Sequence, residues 1–262
     1  MFWLYRKLIL ASVRAQMQYK LNFLTTAATT GLIMVIDFLV LSAILQRFDQ
    51  VKGWDIYEVG VLYGLASTSM SLYRMFAPEI HDFERYIVFG DFDQLLTRPV
   101  SPLTLLLTRN IELARIGGIV QGLGILVISL YGMHAAGKSI GWLVAYVPIN
   151  LAVGTVILFS VGLATATIGF WTGQIKDLQT FTLYAPATAA NYPISLYPGW
   201  LKLLFYTVIP VAFMNYLPMS YLLDKGGSWI ALLMPVGMAG LVCFLALRFW
   251  QYGIRHYHST GS

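Results

Sequence analysis

Long stretches without a charged side chain dominate this sequence and decide what it can fold into. A helix crosses the hydrocarbon core of a bilayer in about 20 apolar residues. Seven apolar stretches can be separated, and Asp37 is the one charge inside them: 21–46, 59–73, 116–137, 139–175, 178–201, 203–223 and 226–247. The stretches therefore predict an all-α integral membrane protein, a single membrane domain over residues 1–262.

The composition excludes a soluble globule. Only 11% of the residues are charged and 58% are hydrophobic, whereas soluble domains carry about 25% charged residues. The net charge of +5 does not indicate a nucleic-acid partner, because the basic residues are scattered beside the apolar stretches. Their main partner is expected to be the lipid bilayer.

The positions of the basic residues set the number of crossings. They are frequent at both ends of the sequence, which places both termini in the cytoplasm and requires an even number of spans. We expect about six, with twelve basic residues inside and five outside. The stretch that does not cross is expected at 193–223, where several prolines break the helix, giving a re-entrant helical hairpin on the outer side. Seven spans remain the alternative.

Two segments outside the spans have a character of their own. Residues 1–21 are expected to form an interfacial helix on the cytoplasmic surface. Residues 74–115 form a cytoplasmic segment, in which Pro78 can begin a helix and Gly90 can end it. Ile80, Phe83 and Ile87 share one face of that helix. Either the segment binds a soluble partner, or it is a solvated connecting loop.

Asp37 lies near the middle of the first span. A carboxylate there costs about 2.5–3.5 kcal/mol on insertion scales, so it should face protein or a cavity. One interpretation is a contact in a translocation path or at a subunit interface. The other is a protonated or hydrogen-bonded structural residue, or a shallower position in the membrane.

Residues 132–139 match the phosphate-binding pattern G-x-x-x-x-G-K-[ST]. That chemistry requires a strand before the loop and a helix after it. Here an apolar helix is predicted on each side, so we interpret the match as chance. No catalytic triad or metal-ligand spacing is visible. The chain is therefore not expected to be an enzyme.

The cytoplasmic run GDFDQLLTRPVSP, from Gly90 to Pro102, resembles a signature of one group of ABC-2-type permeases. That group carries a glycine, an aspartate, two leucines and Arg-Pro before its third span. The proline-rich C-terminal third, with Tyr192-Pro193 and Tyr197-Pro198, resembles the region before the last span of the same proteins. The likeness in the order of apolar segments covers essentially the whole chain.

This resemblance implies a function and a set of partners. The chain would be the permease subunit of an ABC exporter in a bacterial plasma (inner) membrane, paired with an identical or related permease and with two separate ATPase subunits. ATP and Mg would bind to those ATPases, and this chain would hold no cofactor. Residues 78–89 would form the coupling helix. The residues implied in coupling are Glu79, Asp82, Glu84, Arg85, Gly90, Asp93, Arg98 and Pro99. The alternatives are an ATPase-independent secondary transporter and a membrane assembly or scaffold protein.

Overall fold

The computed structural model describes residues 20–46 and 53–257, except for some side chains in the first range. The predicted interfacial helix at 1–21 therefore lies outside the described residues, apart from its last two positions, which begin α1. Over the described residues the chain is helical and has no β-strand. The helices are α1 (Lys20–Gln46), α2 (Ile56–Phe76), α3 (Pro78–His81), α4 (Glu84–Val88), α5 (Asp91–Leu96), α6 (Pro102–Arg109), α7 (Ile116–Ala135), α8 (Gly141–Thr172), α9 (Lys176–Gln179), α10 (Ala185–Ala189), α11 (Gly199–Thr207), α12 (Tyr216–Leu222) and α13 (Ile230–Arg255).

Helix α2 lies at the centre of the bundle. It packs along α7 and against α8, while α8 also packs against α13 and α1 packs on α7. Most side chains of α2 are buried. Glycine permits the close contact with α7, because a Cβ on Gly64 would lie 2.8 Å from the carbonyl oxygen of Gly122. Small residues at such a crossing let two helix backbones approach.

Three helices in the described part of the chain are long and apolar enough to cross a membrane. They are residues 113–135, which include α7, together with α8 and α13. The number rises to four if α11 and residues 211–222 are one bent span. The count of about six spans stays a prediction.

The proline-rich region is broken where the prolines predict a break. Helix α11 and the helical residues 211–222 meet at an angle of 78°, with Pro210 at the junction. The apolar stretch at 178–201 is not one helix. It is helical over 176–189, through α9, a π-helical turn (Thr180–Tyr184) and α10, and the helix ends before Pro193. Whether 193–223 is re-entrant stays a prediction.

The segment between α2 and α7 is folded onto the bundle. Short helices α3 to α6 follow one another there, and the side chains of Ile80, Phe83 and Ile87 are buried. Phe83 contacts Phe170 of α8 and Trp250 of α13, with ring centroids 5.3 and 5.1 Å apart. The alternative of a solvated connecting loop is therefore wrong. We call residues 77–115 the helical segment.

The single helix expected over 78–89 is wrong, because the chain forms α3 and α4 with a break between them. Asp82 leaves the helical conformation at φ −94° and ψ 24°. The break frees the backbone oxygen of His81, which accepts a hydrogen bond from the Gln179 side chain at 2.8 Å. Gly90, at φ +73°, follows α4 and ends it, as predicted.

Candidate functional site

The helical segment holds most of the residues that the sequence singles out, and Glu79 is buried among them. Its carboxylate is paired with the guanidinium of Arg85 and accepts a hydrogen bond from the Tyr86 hydroxyl at 2.6 Å. The Glu79 side chain is 5% exposed and that of Arg85 is 47% exposed. Burial, together with the bond to Glu79, raises the pKa of Tyr86 to about 12. Glu79 therefore joins two parts of the segment from inside, and Arg85 is the exposed member of the ion pair.

Glu84 connects the segment to the helix that begins at Lys176. One of its carboxylate oxygens accepts hydrogen bonds from the backbone N–H groups of Ile175 and Lys176, at 2.7 and 2.9 Å. The first N–H groups of a helix have no partner within it, and a carboxylate at this end is also favoured by the helix dipole. Glu84 thus caps the helical residues 176–189 from a position about 90 residues earlier in the chain.

His81 makes the second connection to the same helix. Besides the bond from Gln179 to its backbone oxygen, its ring nitrogen Nε2 lies 2.6 Å from the Tyr184 hydroxyl. Burial, with the charges of Arg74 and Arg115, lowers the pKa of His81 to about 3. The ring is therefore neutral at physiological pH. These bonds and the Glu84 cap join the segment to residues 176–189.

The remaining predicted residues lie around the two turns of the segment. Gly90 occupies the left-handed region that glycine adopts without strain, and α5 starts directly after it. Asp93 hydrogen-bonds the Tyr257 phenol beyond α13, and burial with this bond raises the pKa of Tyr257 to about 12. Arg98 and Pro99 are exposed in the turn between α5 and α6.

Part of the segment surface is available to another molecule. Asp82, Arg85 and Arg98 are exposed charges. Large apolar side chains are exposed beside them in sequence, with Val88 at 52%, Phe89 at 73% and Leu96 at 42%. Interfaces between proteins combine apolar side chains with charges in this way. Of the predicted residues, Asp82, Arg85, Arg98 and Pro99 thus lie outward, whereas Glu79 is internal.

Asp37 lies within α1, but its side chain is outside the described part of the structure, so its proposed role stays a prediction.

The sequence did not reveal which residues bond to the helical segment. Gln179 and Tyr184 lie about 100 residues beyond His81, and no local pattern relates them. The one signal in the sequence is that Gln179 and Tyr184 are uncharged polar residues within the apolar stretch 178–201.

A cluster of charges lies at the opposite end of α2. Asp55 and Glu58 form a capping box at the start of α2. Lys138 pairs with both carboxylates, and Lys225 pairs with Glu58 at 2.9 Å. Burial would raise the pKa of Asp55, but Lys138 and backbone N–H groups hold it below its usual value. Lys138, the lysine of the phosphate-binding pattern, is thus an ion-pair partner in a loop between two helices.

Comparison with known proteins finds one family that spans this architecture. The family model described as "ABC-2 family transporter protein" matches residues 32–261. The match includes the helical segment, the helix 176–189 and the last helix. A search of curated proteins finds no match for the chain.

Proposed function

The chain belongs to the ABC-2 family of transporter proteins, and on that premise we propose that it is the membrane-spanning permease subunit of an ABC exporter. Membership makes it a membrane protein and a transport component. The proposal adds the partners: two ATPase subunits on the cytoplasmic side and a second permease, identical or related. ATP and Mg would be bound and used by the ATPases.

The observation that carries the proposal is the construction of the helical segment. It has an exposed surface of charged and apolar side chains, and it is bonded on its inner side to the helix 176–189. A segment that only joined two spans would need neither feature. A coupling element needs both, because it must bind a partner and pass that partner's movement to the membrane helices.

The proposed mechanism is alternating access driven by the ATPases. ATP binding closes the two ATPase subunits and draws the two helical segments together. Asp82, Arg85 and Phe89 bind the ATPase in this scheme. Glu84 and His81 then carry the movement to the helix 176–189, and the path between the two permeases opens. Asp37 is proposed to line that path or the subunit interface.

The proposed location is the plasma membrane of a bacterium, with both termini in the cytoplasm. In that orientation the helical segment lies in the cytoplasm, where ATP is available. The cluster around Glu58 lies on the outer side.

Purification of the tagged chain from its native membrane tests the proposal. The chain is extracted in a mild detergent, and its stoichiometric partners are identified by mass spectrometry. We expect an ATPase subunit, and a second permease if the pair is not identical. Phe89→Ser, which removes an aromatic side chain that is 73% exposed, should lose the ATPase. Tyr131→Ser, at 74% exposure on α7, is the matched control and should retain it.

Recovery of the chain alone, in several detergents and at native expression, would overturn the proposal. An ATPase-independent transporter or a membrane scaffold would then be the better interpretation. Equal recovery of the ATPase with Phe89→Ser, Asp82→Arg and the unchanged chain would instead refute the binding surface assigned to the segment.

A further inference from the structure

A cavity borders the helix to which the helical segment is connected. It has a volume of about 210 Å³ and lies between α2, the start of α7 and residues 184–191. Tyr63, Ser67, Ser71 and Arg74 of α2 all line it. Residues at such spacing of three or four lie along one face of a helix, so the wall changes from hydroxyl groups to a guanidinium towards the helical segment.

The charge of this cavity is positive. Arg74 and Arg115 both line it, whereas none of the described Asp and Glu residues does. Arg115 is paired with Glu112 at 2.9 Å. Arg74 forms no ion pair with any described residue, and its guanidinium carbon lies 6.0 Å from the centroid of the Tyr184 ring.

Polar atoms in the cavity wall also lack partners. The Nε atoms of Arg74 and Arg115 are buried without a hydrogen bond to any described residue, and so is the Ser71 hydroxyl, whose residue is 1% exposed. Buried polar groups are almost always paired, because an unpaired donor costs about 1–3 kcal/mol. The same two guanidinium charges contribute to the lowered pKa of the neighbouring His81. The surroundings therefore favour a negatively charged partner.

We propose that this cavity binds the anionic, phosphate-bearing headgroup of an amphiphile, and that such amphiphiles are the substrate class of the transporter. This inference rests on the proposed function. Guanidinium groups bind phosphate oxygens through two parallel N–H donors, which a single ammonium cannot match. Sites for whole drug-sized ligands measure about 300–1,000 Å³, so a cavity of about 210 Å³ holds a headgroup. The acyl chains then lie outside it, against apolar surface.

The cavity is connected to the coupling path through Tyr184. The Tyr184 hydroxyl bonds His81 of the helical segment, and Tyr184 also lines the cavity. Thr188 and Asn191, further along the same part of the chain, line the cavity as well. A displacement of the segment therefore moves one wall of the headgroup site relative to Arg74 on α2. This arrangement links binding of the substrate to the state of the ATPase.

Binding to the purified permease, without any ATPase, tests the inference. Isothermal titration calorimetry in a nonionic detergent compares three probes: dihexanoyl phosphatidylglycerol, dihexanoyl phosphatidylcholine and inorganic phosphate. We expect phosphatidylglycerol to bind most tightly. Arg74→Gln should weaken its binding about 10- to 100-fold, as expected for a lost charge-assisted hydrogen-bond pair. Arg74→Lys should restore part of the affinity. Arg255→Gln, at the exposed end of α13, is the control with the same loss of charge and should bind normally.

Four results would overturn the inference. The first is unchanged phosphatidylglycerol binding in Arg74→Gln. The second is equal affinity for phosphatidylcholine, since the site would then not recognise net negative charge. The third is inorganic phosphate that binds as tightly as phosphatidylglycerol, which would assign the cavity to free phosphate. A loss of permease–permease association in Arg74→Gln, seen by light scattering, would also overturn it, because the cavity wall would then be a subunit interface.

The outcome can be separated from that of the proposed function. Co-purification of the ATPase is measured on the same preparations. Retained ATPase with no phosphatidylglycerol binding refutes the headgroup site alone. Specific binding in a chain that recruits no ATPase refutes the exporter assignment and leaves the site standing.

Discussion

Replacing Glu84 with alanine should loosen the connection between the helical segment and the helix 176–189. One carboxylate oxygen accepts both N–H groups, from Ile175 and Lys176, at 2.7 and 2.9 Å. Ile175 is 1% exposed, so water cannot readily replace the lost partner. An unpaired buried donor costs about 1–3 kcal/mol, and a lost helix cap costs about 1 kcal/mol. Both figures describe the loss of the same oxygen, so we do not add them and take about 2 kcal/mol as the cost of Glu84→Ala. This cost corresponds to a factor of about 30 in the equilibrium constant for local opening.

Amide hydrogen exchange followed by mass spectrometry measures this factor. The peptide that begins at Ile175 should exchange about 30-fold faster in Glu84→Ala. Glu84→Gln keeps a neutral acceptor and should show a smaller increase. Asp82→Ala, an exposed position two residues earlier, is the control for a lost carboxylate and should leave this peptide unchanged. Wild-type exchange in Glu84→Ala would refute the capping role. In the assembled transporter, we expect Glu84→Ala to bind the ATPase but to transport less per ATP.

Three further predictions use thermal unfolding in one detergent. Gly122→Ala should lower the free energy of unfolding by about 1–3 kcal/mol, because the new Cβ would lie 2.4 Å from a side-chain oxygen of α2. Gly124→Ala, where a Cβ would have nothing within 4 Å, is the control and should not lower it. Equal melting temperatures of the two variants would contradict this prediction. Lys138→Met should cost about 1–3 kcal/mol, since Glu58, 2% exposed, keeps one ammonium partner; an unchanged melting temperature would show that the pair is weak. His81, with its pKa lowered to about 3, stays neutral in the folded chain while the unfolded chain takes up a proton below about 6.5. Stability should therefore rise with pH from about 3 to 6.5, by at most about 1.4 kcal/mol per unit, and His81→Gln should show a smaller rise.

The sequence predicted those features that depend on neighbours a few residues apart. The spacing of Ile80, Phe83 and Ile87 indicated a buried face, and all three side chains are buried. Gly90 was expected to end a helix and adopts the backbone conformation that this requires. The prolines between 193 and 218 predicted a broken helix, and the break occurs at Pro210.

Features that depend on distant residues could not be predicted. The break at Asp82 coincides with a hydrogen bond from Gln179 to the residue before it, 98 positions along the chain. The pairing of Lys138 with Glu58 joins residues 80 positions apart. A charge pattern shows that such residues need partners but not which partners they find. Likewise, nothing local in the sequence indicates that Arg74 and Arg115 share a cavity.

The ion pairs of Glu58 have a consequence for biosynthesis. Lys138 and Lys225, its two ammonium partners, leave the ribosome on the order of 10 s after it, at roughly 5–20 residues per second. Until Lys225 has been synthesised, Glu58 lacks the second of these ammonium partners. A chain that terminates before Lys225 never acquires the second partner. Glu58 therefore has both of its ammonium partners only in a chain that extends to Lys225.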